Sequence, residues 1–140
     1  MRVRLTIICA AALALGAGSF AVAAAPAPGL DYNFFKTRVQ PIFLKKREGH
    51  ERCVLCHGGA NNGLHLAPLP AGGEWGEDET RNNFAAVSAL VNPADPVNSR
   101  LLIHPLAPEA GGDLFHSGGR QFASKDDPDW KTLAQFAGVK

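Results

Sequence analysis

The sequence predicts an all-α domain, a few short helices joined by long irregular loops. Three observations carry this. Apolar residues recur at helical spacing in three stretches, near residues 35–43, 80–91 and 130–137. Gly at 15 and Pro at 10 are high for a compact helical bundle, so the segments between helices are expected to be long and irregular. A chain of 140 residues has the size of one small domain, and 46% apolar against 19% charged residues excludes compositional disorder. The formal charge of +1 excludes nucleic acid as the main partner, because phosphate binding needs a basic excess.

The first segment reads as an export signal. Arg2 and Arg4 form a basic start, Leu5 to Ala25 is apolar and uncharged, and small residues crowd its end at Ala21, Ala23, Ala24 and Ala25. Residues 1–25 are therefore expected to be a cleaved signal peptide, with the cut after Ala25 or Ala23, and residues 26–140 the mature domain. An Ala- and Gly-rich stretch is weakly hydrophobic for a permanent membrane span. Cys9 falls too early for lipidation, and Thr6-Ile7-Ile8 lacks the small residue such a site needs. Cleavage removes Arg2 and Arg4, so 14 basic side chains become 12 against 13 acidic ones, a charge of about −1. It also removes Cys9 and the single methionine, Met1, which leaves Cys53 and Cys56 as the only cysteines.

The first helix should begin after Asp31, a good N-cap. Phe35, Val39, Ile42 and Phe43 mark its inward face. Pro41 interrupts this face, so the helix should bend or be remade there. Lys45, Lys46 and Arg47 suit the negative end of its dipole.

This helix leads into Cys53-Val54-Leu55-Cys56-His57, the C-x-x-C-H signature of covalent c-type haem attachment. Two thiols three positions apart can form thioethers with the two vinyl groups on one porphyrin edge. The next residue then lies under the iron, where its imidazole is the proximal ligand. Three other readings fare worse. A disulfide across so short a loop is strained. A zinc site would need two further ligands, and there is no second Cys pair. A thioredoxin-like pair would need a strand before the motif and a helix after it. Here Gly58-Gly59-Ala60-Asn61-Asn62-Gly63 follows, which is a loop. One motif implies one haem c and one iron.

Residues 58–76 read as irregular, with Leu64, Leu66 and Leu69 in an extended stretch over the haem edge. A second helix is expected from about Thr80 to Leu90, with Phe84, Val87 and Val91 inward, ending at Asn92-Pro93-Ala94-Asp95-Pro96. The acidic run Glu74, Glu77, Asp78 and Glu79 reads as a solvated helix start. Ser99 should cap a short helix over 100–104, stopped by Pro105 and Pro108. A Gly-rich loop over 105–126 contains His116-Ser117-Gly118-Gly119. The terminal helix should start at Asp127 as N-cap with Pro128 at N1, and show Trp130, Leu133, Ala134 and Ala137 on one face.

In this order the chain resembles a class I cytochrome c, and more closely the planctomycete-type cytochrome c domain. The matching residues are Phe35-x-x-x-Val39-x-Pro41-Ile42-Phe43, then Cys53 to Gly58, then Gly63-Leu64-x-Leu66. They continue with Asn98-Ser99-Arg100-Leu101-Leu102 and His116-x-Gly118-Gly119, and close with Asp126-Asp127-Pro128-Asp129-Trp130. They cover nearly all of residues 26–140; C-x-x-C-H alone is individually specific, and the others persuade by their order. The resemblance implies a small class I cytochrome c-like fold, with N- and C-terminal helices packed around one covalent haem, in an extracytoplasmic protein.

Many class I cytochromes close the iron with methionine, which a mature chain without Met1 does not offer. By the resemblance, His104 and His116 lie in the part of the chain that covers the distal face, and H-x-G-G stands where relatives carry a methionine-containing loop. A Gly pair lets the backbone approach a flat macrocycle closely. His116 is the expected second iron ligand and His104 its alternative, while His50 and His65 read as surface or loop histidines. Two imidazoles favour a low reduction potential. Arg100 and Arg120 are candidates for the haem propionates, and Trp75 and Trp130 for packing.

The expected function is electron transfer by a periplasmic or otherwise exported monohaem carrier, not an enzyme. Its partners would be redox proteins or a larger membrane redox complex, with no nucleic acid and no small-molecule substrate. The alternative is a haem sensor or peroxidase-like protein with an open distal site.

Overall fold

The computed structural model describes residues 29–60 and 62–140. The expected signal peptide, residues 1–25, and its cleavage site lie outside the described residues. The described residues are helix-rich, with isolated bridges in place of strands, so the all-α expectation holds. None of their helices is long and apolar enough to cross a membrane.

Helix α1 spans residues 32–44 in three continuous stretches. An α-helical turn, Tyr32–Phe34, is capped by Asp31, whose Oδ1 accepts from the Phe34 N–H at 3.0 Å. A wide π-type turn, Phe35–Val39, follows, and α-helical Gln40–Leu44 completes it. The wide turn lies just before Pro41. Proline has no N–H, and its ring crowds the carbonyl four residues back; an extra residue in the turn relieves that clash. The helix is thus remade rather than broken, and Phe35, Val39, Ile42 and Phe43 all stay buried.

The helix ends at Leu44, so the three basic residues lie beyond it and do not form its last turn. They reach other partners instead. Lys45 pairs with Asp129 at 2.7 Å and Lys46 with Glu51 at 3.2 Å. Arg47 lies over the Phe122 ring at 4.5 Å and pairs with both Asp127, at 2.9 Å, and Asp129.

Helix α2, Cys53–His57, is the motif itself. Helix α3 is Glu77–Ser88, starting three residues before the expected Thr80 and ending short of Leu90. Its first turn is the acidic run, which complements the positive end of the helix dipole. Glu77 is held there by Tyr32, Lys36 and Arg81, at 2.9, 2.7 and 2.7 Å. Thr80 sits inside the helix, 1% exposed, where its hydroxyl accepts from the Gln40 amide.

Helix α4 is Arg100–Ile103, one residue shorter than expected. Ser99 holds the cap position, but its hydroxyl does not bond to the helix. It accepts from the Asn92 N–H at 2.9 Å and ties down the preceding turn. Helix α5 is Pro128–Ala137, where Asp127 accepts from the N–H groups of Asp129 and Trp130 at 2.8 and 3.2 Å. Trp130, Leu133, Ala134 and Ala137 are buried as expected, and so is Phe136.

α1 packs on α3 and α5 through aromatic contacts. Phe35 meets Phe43, Phe84 and Phe136 with ring centroids 5.4–6.5 Å apart. Trp75 and Trp130 act as packing residues whose indoles donate to the carbonyls of Ala67 and Leu102.

Candidate functional site

Two irregular loops form the other half of the molecule, each closed by one bridge. In the first, Gly59 N–H donates to Leu66 O at 2.8 Å, and Leu66 N–H to His57 O at 3.0 Å. In the second, Ala107 N–H donates to Phe122 O at 2.9 Å, and Phe122 N–H to Pro105 O at 3.1 Å. Between them lies a cavity of about 310 Å³. Ile42, Phe43, Leu64, Leu90, Leu101, Phe122 and Leu133 give it apolar walls, while Cys53, Cys56, His57, His104 and His116 bring in the reactive side chains.

Five sequence-predicted site residues therefore share one cavity, and His50 and His65 do not line it. The Cys53 and Cys56 thiols are free; Cys53 is half-buried, and burial pushes its thiol pKa up. Helix α2 is a single turn that places Cys53, Cys56 and His57 on consecutive parts of one rim. Gly58 closes it tightly: a Cβ there would sit 2.6 Å from the Val54 carbonyl oxygen.

His57 Nδ1 lies 2.8 Å from Asn62 Oδ1 and 2.9 Å from the Leu64 carbonyl. Both are oxygens that only accept, so Nδ1 carries the proton and Nε2 keeps its lone pair. Asn62 is itself fixed, donating to Cys56 O at 2.9 Å and accepting from Leu64 N–H at 3.2 Å. His116 shows the same arrangement. Its Nδ1 donates to the Gly119 carbonyl at 2.5 Å, which leaves Nε2 unprotonated. Burial lowers the His116 pKa, as do the nearby His104 and His57 rings, with the Gly119 carbonyl pulling the other way. The imidazole is thereby kept neutral and able to ligate near neutral pH.

The two rings lie parallel within 8°, with centroids 6.2 Å apart. Two metal–nitrogen bonds of about 2 Å and two ring radii of about 1 Å would span about 6 Å, the size of this separation. His104 sits differently. Its ring stands at 65° to His116, centroids 4.8 Å apart, although its Nδ1 is likewise tied to an oxygen acceptor, Asp113 Oδ2 at 2.9 Å, which leaves its Nε2 free too. That hydrogen bond, with a second from Phe115 N–H, lowers the Asp113 pKa.

Among the described residues no three His, Cys, Asp or Glu side chains group as they would around a metal held by protein alone. Three imidazoles and two thiols nonetheless line one cavity, a donor set with both nitrogen and sulfur available to a bound group. Arg100 lines the cavity, as does Arg52, which sequence reasoning missed, although it stands directly before the motif. Arg120 pairs with Glu109 at 2.9 Å and lies outside it. Asn62 and Gln121 were also missed. Their roles depend on contacts that residue type does not announce, though an Asn-Gly pair after a metal-binding motif does signal a turn.

No family model, curated protein or solved structure matches this chain.

Proposed function

We propose that this chain is an exported electron-transfer protein of the class I cytochrome c type, carrying one covalent haem c. Cys53 and Cys56 form the thioethers, His57 is the proximal ligand, and His116 is the distal one. The reading rests on one observation above the others. Two imidazoles with their Nδ1 atoms tied to oxygen acceptors stand parallel and 6.2 Å apart in the cavity that also holds both thiols. His116 is preferred over His104 on the resemblance, which puts H-x-G-G at the distal face, with its ring centroid 6.2 Å from that of His57.

The haem would supply one-electron Fe(III)/Fe(II) exchange, with no bond chemistry at the protein. The chain's own residues do the rest. Asn62 Oδ1 and the Leu64 carbonyl orient His57 and make it a stronger electron donor, which favours the oxidised metal. The apolar walls exclude water, which keeps the charge change in a medium of low dielectric. The guanidinium groups of Arg52 and Arg100 provide positive charge for the porphyrin carboxylates. A second imidazole in place of a thioether lowers the potential further. With His57 and His116 both holding the iron, no position would be left for a substrate, and the partners would be other redox proteins.

Visible and EPR spectra of the ferric and dithionite-reduced protein, with and without CO, test this. Low-spin ferric haem is expected, with CO binding only slowly after reduction, at the rate at which the His116 imidazole leaves. High-spin ferric iron that binds CO on reduction would favour the sensor or peroxidase-like alternative. A His116→Ala variant with an unchanged spectrum would remove His116 as ligand.

A further inference from the structure

Gln121 stands where the distal loop meets the segment leading into the motif. It is 8% exposed and lines the cavity. Its Nε2 donates to Glu51 O at 3.3 Å and to Gly118 O at 3.2 Å. Both amide protons are thus spent on carbonyls from two segments far apart in the chain. Its Oε1 is buried without a partner. Turning the amide over would set oxygen against two carbonyl oxygens, so this orientation is fixed by chemistry. An orphaned buried acceptor is unfavourable, and the pair of donated bonds offsets it.

One further close approach joins the same segments, and a second lies within the distal loop itself. Gly119 has φ of +85°, and a Cβ there would meet the His50 ring at 3.2 Å. Gly118 lies against the His116 imidazole, with a would-be Cβ 3.2 Å from its Cε1. The residues on either side of the Gln121 contact are therefore His116, which they orient, and Glu51, two positions before Cys53.

We propose that Gln121 is a positioning residue. It clamps the distal loop, and His116 with it, to the segment that carries the thiols, so that the distal side stays closed. This rests on the proposed function, since a clamp on His116 has a readable consequence only if His116 binds the metal. Both amide protons of Gln121 go to backbone carbonyls, so its part is to position and not to ligate.

The test is the rate of CO binding to the dithionite-reduced, haem-loaded protein, for wild type, Gln121→Leu and Gln121→Glu, with the ferric EPR spectrum alongside. Losing two hydrogen bonds should speed CO binding about tenfold, equivalent to ~1.4 kcal/mol, in Gln121→Leu. Gln121→Glu should be faster still, because its carboxylate repels both carbonyls although its size is nearly unchanged. A residue that only fills space would leave Gln121→Glu like wild type. If Gln121→Leu does not accumulate, Gln121→Asn, too short to span both carbonyls, is expected to show the same acceleration. Rates within about twofold of wild type in all variants overturn the clamp and leave the haem assignment standing. A wild type that carries no covalent haem, or binds CO at once, overturns both.

Discussion

The helical half and the loop half of this molecule are held together by different physics. Around Phe35, which is 0% exposed, α1, α3 and α5 meet mainly through aromatic rings and aliphatic side chains, with one buried polar set, Gln40, Thr80 and Asn83, joining α1 to α3. Around His57 and His116 the walls are loops joined by single bridges and directed hydrogen bonds, with a cavity of about 310 Å³ between them. Burial is tolerant of detail and needs only the right faces. A loop-built site has no such redundancy, and each tether sets the direction of one functional atom. The first half is a scaffold, and in the proposed reading the second half holds the haem.

The contrast breaks most sharply at the thiols. Replacing Cys53 and Cys56 by Ala should abolish covalent haem, read as loss of haem stain on a denaturing gel, while the residual helical circular dichroism reports how far the scaffold forms alone. Phe35→Ala should do the reverse. It is expected to cost about 3–5 kcal/mol in urea unfolding of the haem-loaded protein, yet leave the visible spectrum of the folded fraction unchanged. A shifted spectrum would mean that scaffold and site are not separable.

Asp127 sharpens the comparison because it touches both halves, capping α5 and binding Arg47, which lies over Phe122 at the cavity. Burial raises its pKa, but Arg47 and the N–H groups of Asp129 and Trp130 outweigh that and hold it below the usual carboxylate value. A depressed carboxylate stabilises the fold above its unfolded pKa of about 3.9, and that contribution is lost as pH falls through the folded value. Asp127→Ala should therefore cost about 1–2 kcal/mol at pH 7, with the gap to wild type closing in denaturant melts run below about pH 4.

The smallest effect belongs to Asn62. Removing its contact with His57 leaves the Leu64 carbonyl in place, so Asn62→Ala should keep the low-spin spectrum. It should raise the midpoint potential by about 40 mV, the one-electron equivalent of a hydrogen bond worth about 1 kcal/mol. Spectroelectrochemical titration reads this directly, and a fall in potential would reverse the assigned role.

The division between the halves also explains what was legible in the sequence. Periodicity exposes buried faces, so Phe35, Val39, Ile42 and Phe43 could be placed from spacing, and Asp127-Pro128 announced α5 through local chemistry. The C-x-x-C-H residues fall on one cavity because they are adjacent in sequence, and His116 and His104 line the same cavity. What escaped were bonds between distant positions. Ser99 looked like a cap and instead holds Asn92, Arg47 looked like a helix end and instead joins α5, and Gln121 gave no signal at all. The acidic run marked the start of α3, while its first residue stayed open between Glu77 and Thr80 because Gly76 at the cap position has no side chain to fix it. The wide turn in α1 could be anticipated only as a disturbance at Pro41, since its form depends on the buried residues that flank it.

The most direct test is the intact mass of the protein recovered from the exported fraction of a host able to attach haem, measured after denaturing acid extraction. The account predicts the mature chain plus one haem, retained because two thioethers hold it. A chain at its unmodified mass, with both thiols free to alkylate, would contradict it.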